Sequence, residues 1–430
     1  MPSAPVSARY RLFVMGMLVL VYTFNFIDRQ IIGILAVPIK ADLGLNDTQL
    51  GLMGGLAFAL FYTTLGIPIA LLADRMNRTW ILSVSLALWS LMTALCGTVT
   101  NFWQLFLARL GVGVGEAGGV APAYSMICDY YPAPQRARAL SAYSFGVPIG
   151  SALGIIFGGL IASKVDWRYA FFAVGIAGVV LAPIFKLTVR EPLRGQFDEG
   201  MRSEPVAFAE SFSVLLGKPS FWLMAVGASF SSMMGYGLFF WLPSFFVRSF
   251  DMTLLNASLF YGTILLFGGL VGIWLGGMLA DRLGASRKTA YVLVPAGAFL
   301  ATAPFYLAAV LSNQLWLTFF LMLVPTALGL AWLGPVLSAI QHVVVPSMRA
   351  TASAVFLLVI NLIGLGVGTA ALGWLSDLLE ARYAEDSLRY AIVAGTVFYL
   401  IAALLLYLAS KYLERDWEQV ATPQNSSPAR

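Results

Sequence analysis

The sequence predicts an all-α integral membrane protein, and three observations carry that prediction. Hydrophobic residues make up 59% of the 430 residues and charged residues only 11%, against about 45–50% and about 25% in soluble domains. The mean hydropathy of +0.82 agrees with this composition. Apolar runs of roughly 20 residues, the length needed to cross a hydrocarbon core of about 30 Å, recur along the whole chain. We therefore expect a multi-pass membrane protein whose first span is retained, because no cleavage site follows it.

The apolar runs are divided into two sets of six by the longest polar interruption, residues 190–219. This predicts a first six-helix half over residues 1–189, a cytoplasmic linker over 190–219, a second half over 220–412 and a cytoplasmic tail over 413–430. Within the linker, the apolar residues of 206–216 have helical spacing, which predicts a short helix on the membrane surface. The alternative is that this segment is a loosely ordered tether. The twelve spans cover approximately residues 12–38, 49–73, 80–100, 103–128, 138–163, 168–188, 220–247, 254–280, 289–311, 314–345, 350–376 and 388–411.

The distribution of basic residues predicts the orientation in the membrane. Arginine and lysine are concentrated in the loops on the side of the N-terminus and are sparse in the loops on the opposite side. By the positive-inside rule both termini are cytoplasmic, and a bacterial inner membrane is the expected location. The net charge of +5 is spread over these loops rather than gathered in one patch, so no nucleic-acid partner is expected. Cys96 and Cys128 are interpreted as buried thiols.

Four ionisable residues inside the first half predict a polar centre. They are Asp28 and Arg29 in the first span and Arg109 and Glu116 in the fourth. A charge at the middle of a membrane helix costs about 2.5–3.5 kcal/mol, so such residues usually face a wet cavity. Arg109 and Glu116 are seven residues apart, so they share one helix face about 10.5 Å from each other. Because the first and fourth spans run antiparallel, Glu116 should meet Arg29, and Asp28 should meet Arg109. The alternative is that all four only neutralise one another as buried ion pairs.

The second half is aromatic where the first half is charged. Its spans carry no acidic or basic residues away from their ends, but they contain Tyr236, Trp241 and Trp332. A cavity between the two halves would have one charged wall and one apolar wall, which suits an amphiphile. The alternative is that these rings face lipid or neighbouring helices.

A short charged segment is repeated at the same position in each half. Residues 74–78 (Asp-Arg-Met-Asn-Arg) follow the second span, and residues 281–288 (Asp-Arg-Leu-Gly-Ala-Ser-Arg-Lys) follow the eighth. An aspartate beside two basic residues can hold helix ends together in one state and release them in another. A static clamp or a membrane anchor would use the same residues. The predicted latch consists of Asp74, Arg75, Arg78, Asp281, Arg282, Arg287 and Lys288.

These segments resemble known motifs of the major facilitator superfamily. Residues 277–288 resemble its motif A, which is degenerate in the first half, and residues 109–115 resemble its fourth-helix motif. Residues 25–29, 73–78 and 113–117 together are similar to the Spinster branch. The resemblance implies the major facilitator fold, with twelve transmembrane helices in two pseudo-symmetric six-helix halves, and transport by alternating access. For related eukaryotic Spinster proteins it implies lysolipid or sphingosine-phosphate substrates.

The sequence therefore predicts a proton-coupled secondary transporter of an amphiphilic or lipid-like substrate. Glu116 and Asp28 are expected to carry the proton, Arg109 to form a structural ion pair, and Arg29, Glu116, Tyr236, Trp241 and Trp332 to bind substrate. The alternative is a proton-linked carrier of a small organic anion or drug. An enzyme is not expected, because the chain has a single histidine, no metal-binding spacing and no phosphate loop. The expected partners are the substrate, protons and membrane lipids; we expect a monomer without cofactors.

Overall fold

The computed structural model describes residues 7–73, 75–195, 197, 208–284, 287–329, 332–345 and 348–417, and these form a bundle of α-helices. The helices are α1 (Ala8–Ile34), α2 (Ala36–Leu43), α3 (Asp47–Gly54), α4 (Leu56–Ala73), α5 (Arg78–Cys96), α6 (Phe102–Glu116), α7 (Val120–Tyr130), α8 (Ala133–Ser144), α9 (Gly146–Lys164), α10 (Trp167–Thr188), α11 (Phe208–Leu216), α12 (Pro219–Phe250), α13 (Leu254–Gly284), α14 (Ala290–Leu311), α15 (Leu315–Leu328), α16 (Leu333–His342), α17 (Arg349–Ile360), α18 (Gly366–Tyr383), α19 (Ser387–Gly395) and α20 (Val397–Asp416).

Most predicted spans consist of two consecutive helices separated by a short break. The second span breaks at Gly55, between α3 and α4, and the fourth breaks between α6 and α7, directly after Glu116. In the described part of the chain, nine stretches are long and apolar enough to cross a membrane, and one of them, Thr351–Asp416, is 66 residues long. That stretch holds two crossings, α17–α18 and α19–α20. With the fourth and tenth spans, each built from shorter helices, the twelve predicted spans are accounted for.

Polar residues mark where several spans begin. Asn77 precedes α5 and accepts a hydrogen bond from the backbone of Trp80, and Asn101 caps α6 in the same way. Asn46 and Gln49 form a reciprocal capping box at the start of α3. These side chains satisfy backbone N–H groups that have no partner inside the helix. The polar residues between apolar runs therefore fix the helix starts as well as the loops.

Glycines in the fourth span allow close packing within the first half. A Cβ atom on Gly115 would lie 2.5 Å from the backbone nitrogen of Trp89, and one on Gly113 would collide with the carbonyl oxygen of Phe58. No side chain fits at either position without moving a neighbouring helix. These two glycines therefore let the fourth span pack closely against α4 and α5.

The two halves touch mainly where α3 packs on α18, α9 on α13 and α1 on α12, and α4 also contacts α17 and α18. The closest approaches again use glycine. A Cβ atom on Gly51 of α3 would lie 2.5 Å from the carbonyl oxygen of Thr369, and one on Gly159 of α9 would overlap the Ser258 hydroxyl. We call the end of the molecule where α3 begins the outer end, following the predicted orientation, and the opposite end the inner end.

The linker contains the predicted short helix. Helix α11 ends at Leu216, as expected, and Leu215 is fully buried. The indole Nε1 of Trp222 donates a hydrogen bond of 3.0 Å to the carbonyl oxygen of Leu215. The described part of the linker is therefore packed against α12 rather than loosely tethered.

Candidate functional site

A buried ion pair lies at the centre of the first half. The Nε of Arg29 on α1 donates a hydrogen bond of 2.8 Å to Oε2 of Glu116, the last residue of α6. The Glu116 side chain is fully buried and that of Arg29 is 10% exposed. The contact that helix spacing predicted between these two residues is therefore present. Removing either partner of such a pair would leave an uncompensated charge away from water.

Three aromatic rings surround the Arg29 guanidinium. Its central carbon lies 5.1 Å from the ring centre of Phe26, 4.8 Å from that of Phe58 and 4.5 Å from that of Tyr62. Cations at these distances are attracted to the ring faces. Within the described residues, the second amino group of Arg29 (Nη2) and Oε1 of Glu116 have no hydrogen-bond partner. The pair thus retains one donor and one acceptor that a ligand can use.

The predicted ion pair between the Asp28 carboxylate and Arg109 is wrong. Arg109 Nη1 reaches only the backbone carbonyl of Asp28, at 3.5 Å. The Asp28 carboxylate instead accepts a hydrogen bond of 2.5 Å from the hydroxyl of Thr93 on α5. The Arg109 guanidinium lies over the ring of Phe58, at 5.8 Å. The Thr93 hydroxyl already binds one oxygen of Asp28, and the guanidinium of Arg109 packs against the ring of Phe58.

A small cavity connects the ion pair to the second half. Its volume is about 20 Å³, enough for little more than one water molecule. The first half contributes Arg29 and Arg109 to its lining, and α12 of the second half contributes the rings of Tyr236 and Phe239. The lining residues are Phe26, Arg29, Gln30, Gly54, Phe58, Arg109, Tyr236, Phe239, Phe240, Leu365 and Thr369.

The other two aromatic residues expected to bind substrate lie outside the lining of this cavity. Trp241 is fully buried, and its Nε1 donates a hydrogen bond of 2.8 Å to the carbonyl oxygen of Thr369, so it joins α12 to α18. Trp332 is 6% exposed and packs near Phe356, with the ring centres 6.5 Å apart. In this conformation both side chains contribute to packing within the second half.

A polar cluster closes the outer end between the halves. Asp47, the first residue of α3, is 2% exposed. It accepts hydrogen bonds of 2.6 and 2.7 Å from Arg248 of α12, 2.8 Å from Lys40 and 2.8 Å from Ser376 of α18. Two of these partners, Arg248 and Ser376, belong to the second half. We call Lys40, Asp47, Thr48, Arg248, Ser376 and Asp377 the outer cluster.

Asp377 completes the outer cluster by capping a helix of the other half. Its carboxylate accepts hydrogen bonds from the backbone nitrogens of Asp47 and Thr48, at 3.0 and 2.8 Å, and from the Thr48 hydroxyl at 2.5 Å. The first N–H groups of a helix have no partner inside it and carry a partial positive charge. The second half therefore satisfies the start of α3, and separating the halves here breaks all three bonds.

Among the predicted latch residues, Arg78 makes the most hydrogen bonds in the described part of the chain. Its guanidinium is 1% exposed and donates hydrogen bonds of 2.5 Å to Asp129, 2.6 Å to Glu191 and 2.7 Å to Ser125. These partners lie on α7 and on the segment after α10. Arg78 therefore binds together three helix ends of the first half, at the inner end.

The remaining latch residues have few contacts in the described part of the chain. Arg75 and Arg287 are exposed, and Lys288 lies over the ring of Trp417 at 5.4 Å. Asp74 and the side chains of Asp281 and Arg282 lie outside the described residues. The gating role of these residues stays a prediction.

The single histidine and the two cysteines lie away from the cavity lining. The Nδ1 of His342 donates a hydrogen bond of 2.8 Å to the carbonyl oxygen of Ser338, and its ring stacks on Trp417, with the ring centres 4.7 Å apart. Cys96 is buried and Cys128 is half-buried. His342 therefore lies at the inner end and belongs to the second half, whereas Asp28 and Glu116 belong to the first half.

Comparisons with known proteins agree with this architecture. Residues 18–369 match the model of the Major Facilitator Superfamily. The chain is 34% identical to an MFS-type efflux pump of Mycolicibacterium smegmatis, with 93% of both chains covered. It is 29% identical to protein spinster homolog 1 of Homo sapiens, covering 86% of this chain and 74% of the human protein.

Solved structures give the same relationship. A bacterial homologue of the human lysosomal transporter Spinster, crystallised in an inward-facing and unoccupied conformation, superposes with a TM-score of 0.87 at 33% identity. The occupied inward-facing form of such a homologue gives a TM-score of 0.83, also at 33% identity. In both comparisons 97% of this chain and 100% of the other chain are covered.

Proposed function

Since this chain belongs to the major facilitator superfamily and is a relative of the Spinster proteins, we propose that it is a proton-coupled secondary transporter of an amphiphilic, lipid-like substrate. It is a multi-pass membrane transporter rather than an enzyme. We further propose that both termini lie in the cytoplasm. The proposal concerns the substrate, the coupling ion and the direction in which the site faces.

Closure of the outer end supports an inward-facing arrangement. The outer cluster and the glycine contacts join the halves there, beside Gly51 and Gly159. Transporters of this kind work by rocking one half against the other around a fixed central site. In this proposal the present conformation has closed its outer entrance, and the next step of the cycle must break the outer cluster.

The buried pair of Arg29 and Glu116 is the observation that carries the coupling proposal. Glu116 is fully buried, so an ionised Glu116 without Arg29 would bear a large desolvation cost. An anionic head group that binds Arg29 competes with Glu116 for the same guanidinium. Glu116 can leave Arg29 at low cost only when it takes up a proton, because the neutral acid is far cheaper to bury. Substrate binding and protonation are thereby linked at one residue.

The chemistry around Arg29 favours an amphiphile. The cavity joins the cations Arg29 and Arg109 to the rings of Tyr236 and Phe239, so a polar head and an apolar tail would each find a matching surface. A volume of about 20 Å³ does not admit such a molecule. Binding therefore requires the side chains of α1 and α12 to separate.

A small organic anion or drug is the second candidate substrate. The observation that favours it is the similarity to a protein named as an MFS-type efflux pump. Such a substrate would use the same arginine but would not need the aromatic wall. The two candidates therefore differ in how transport depends on the length of an apolar tail.

Flux measurements in proteoliposomes test the proposal. A panel of lysophospholipids of increasing chain length, and of small anionic drugs, is assayed with and without a pH gradient. We expect saturable flux of the long-chain lipids that is accelerated by the gradient. Flux that is restricted to small anions would support the second candidate, and lipid flux that is indifferent to the gradient would contradict proton coupling.

Replacing Arg29 with lysine should reduce transport of anionic lipids selectively. Lysine keeps the charge opposite Glu116, but it loses the planar pair of N–H donors that binds phosphate at two points. We expect roughly 10-fold weaker competition by a lysolipid with an anionic head, corresponding to about 1.4 kcal/mol, and a much smaller change for a neutral lipid. Competition against a fluorescent lysolipid in nanodiscs measures both.

Arg168→Lys is the matched control for this prediction. Arg168 also pairs with a carboxylate, Asp42 at 2.7 Å, and lies 4.2 Å from the ring of Trp167. This site is at the outer end of the first half, away from the cavity. Equal losses for anionic and neutral lipids in Arg29→Lys would assign Arg29 a structural role only.

A further inference from the structure

Among the described residues, one side-chain hydrogen bond holds the Asp28 carboxylate. Its carboxylate is 1% exposed and accepts a hydrogen bond of 2.5 Å from the hydroxyl of Thr93, which is itself fully buried. Asp28 lies on α1 and Thr93 on α5. In the described part of the chain, no lysine or arginine nitrogen lies within ion-pair distance of this carboxylate. A buried acid without an ion pair depends strongly on the hydrogen bonds that remain.

The charged and titratable groups around Asp28 come from two helices besides its own. Helix α6 contributes Glu116 and Arg109, helix α5 contributes Cys96, and Arg29 is the next residue of α1. Arg29 is already paired with Glu116, and Arg109 reaches only the backbone of Asp28. None of these groups replaces the hydroxyl of Thr93 as a partner of the carboxylate.

We propose that Thr93 is a positioning residue for Asp28, whose hydroxyl fixes the carboxylate on the α5 side of the site and sets the pH at which Asp28 exchanges its proton. A hydroxyl both donates to a carboxylate and accepts from a carboxylic acid, so Thr93 can stay bound to Asp28 in either protonation state. In the conformation described here it donates. This role deepens the proposed function, since it assigns Asp28 a partner that is distinct from the Arg29–Glu116 pair.

Infrared titration of the purified protein in nanodiscs tests this proposal without any substrate. The carboxyl band that disappears in Asp28→Asn is assigned to Asp28. In Thr93→Val, which keeps nearly the same shape, we expect this band to move to higher frequency because the carboxyl group loses its hydrogen-bond partner. We also expect the half-protonation pH of the band to rise by about 1 to 2 pH units, a 10- to 100-fold change in the protonation equilibrium.

Two further variants separate positioning from simple packing. Thr93→Ser retains the hydroxyl and should restore the band and its midpoint. Thr302→Val removes another fully buried hydroxyl, which bonds to the carbonyl oxygen of Ala298 at 2.8 Å in its own helix, and should change neither. Thr93→Ala replaces Thr93→Val where the latter does not give a monodisperse protein.

An unchanged Asp28 band and midpoint in a folded Thr93→Val or Thr93→Ala protein would show that Thr93 only fills space. The titration is independent of transport, so the two proposals fail separately. Absence of gradient-driven lipid flux in the wild-type protein would reject the proposed function and leave the Thr93 result standing. A shifted band beside normal wild-type flux supports both.

Discussion

Asp47→Asn is expected to shift the protein strongly toward a conformation that is open at the outer end. Asparagine has nearly the same shape, but it removes the negative charge that faces both Arg248 and Lys40. Hydrogen bonds to charged groups contribute about 1.5–3 kcal/mol each. A net loss of about 2 kcal/mol, after allowing for the partial exposure of both cations, changes the ratio of the two conformations about 30-fold.

Distances between spin labels across the outer end measure this shift. Labels at positions 164 and 314 are suitable, because both residues are exposed and lie in different halves at that end. The wild-type protein should give one short distance, and Asp47→Asn should give a second, longer one. Native Cys128 is replaced by serine to avoid labelling at the inner end.

Asp42→Asn is the matched control. Asp42 also lies at the outer end and pairs with Arg168 at 2.7 Å, but both residues belong to the first half. Its replacement should leave the label distances unchanged. If Asp47→Asn also retained the single short distance, the outer cluster would not hold the halves together, and the glycine contacts would have to be sufficient on their own.

The central ion pair could be predicted from the sequence because it follows from helix geometry. Charges are rare within membrane spans, so Arg29 and Glu116 stood out, and antiparallel helices of known rise placed them at similar depth. The same reasoning placed Arg109 beside Asp28, but Arg109 reaches the backbone carbonyl of Asp28 and not its carboxylate. Which oxygen an arginine reaches depends on the other hydrogen-bond donors nearby. Nothing in the sequence indicated that Thr93, which lies among apolar residues, would donate to the Asp28 carboxylate.

The outer cluster was beyond sequence reasoning for a different reason. Asp47, Arg248 and Asp377 each lie at the end of a span, where charged residues are common and carry little information. Their contact depends on how the two halves are docked, and no local pattern encodes that arrangement. Acidic residues on one half opposite an arginine on the other become informative only after the halves are placed.

Helix breaks also limited the prediction. The apolar pattern predicted the spans, but it did not predict that the fourth span breaks directly after Glu116 or the second at Gly55. The break after Glu116 places this acid at the end of α6. Hydropathy averages over about 20 residues, so it cannot detect an interruption of three.

Glu116→Gln is expected to abolish the pH dependence of transport while leaving substrate binding in place. Glutamine resembles the protonated acid: its amide oxygen can still accept the hydrogen bond that Arg29 now donates to Oε2 at 2.8 Å. It can neither bear a charge nor exchange a proton. The charge of Arg29 is then permanently available to an anionic head group, so binding should be retained or strengthened at every pH.

Proteoliposomes with and without a pH gradient measure the effect of Glu116→Gln. Wild-type protein should concentrate its lipid substrate at the expense of the gradient, whereas Glu116→Gln should only equilibrate it. Glu191→Gln is the control, because Glu191 also pairs with a buried arginine, Arg78 at 2.6 Å, but at the inner end of the first half. It should retain gradient-driven accumulation.

His342 and Asp28 offer the competing explanations. His342 is stacked on Trp417 at the inner end, so it cannot meet both sides of the membrane in turn, and His342→Ala should keep coupling. Asp28 has no cation to exchange with a substrate, since its carboxylate is bonded to Thr93. Of these three residues, only Glu116 combines full burial with a partner that an anionic substrate also needs. Accumulation against a gradient by Glu116→Gln would therefore move the proton site to Asp28, and loss of coupling in His342→Ala would move it to the second half.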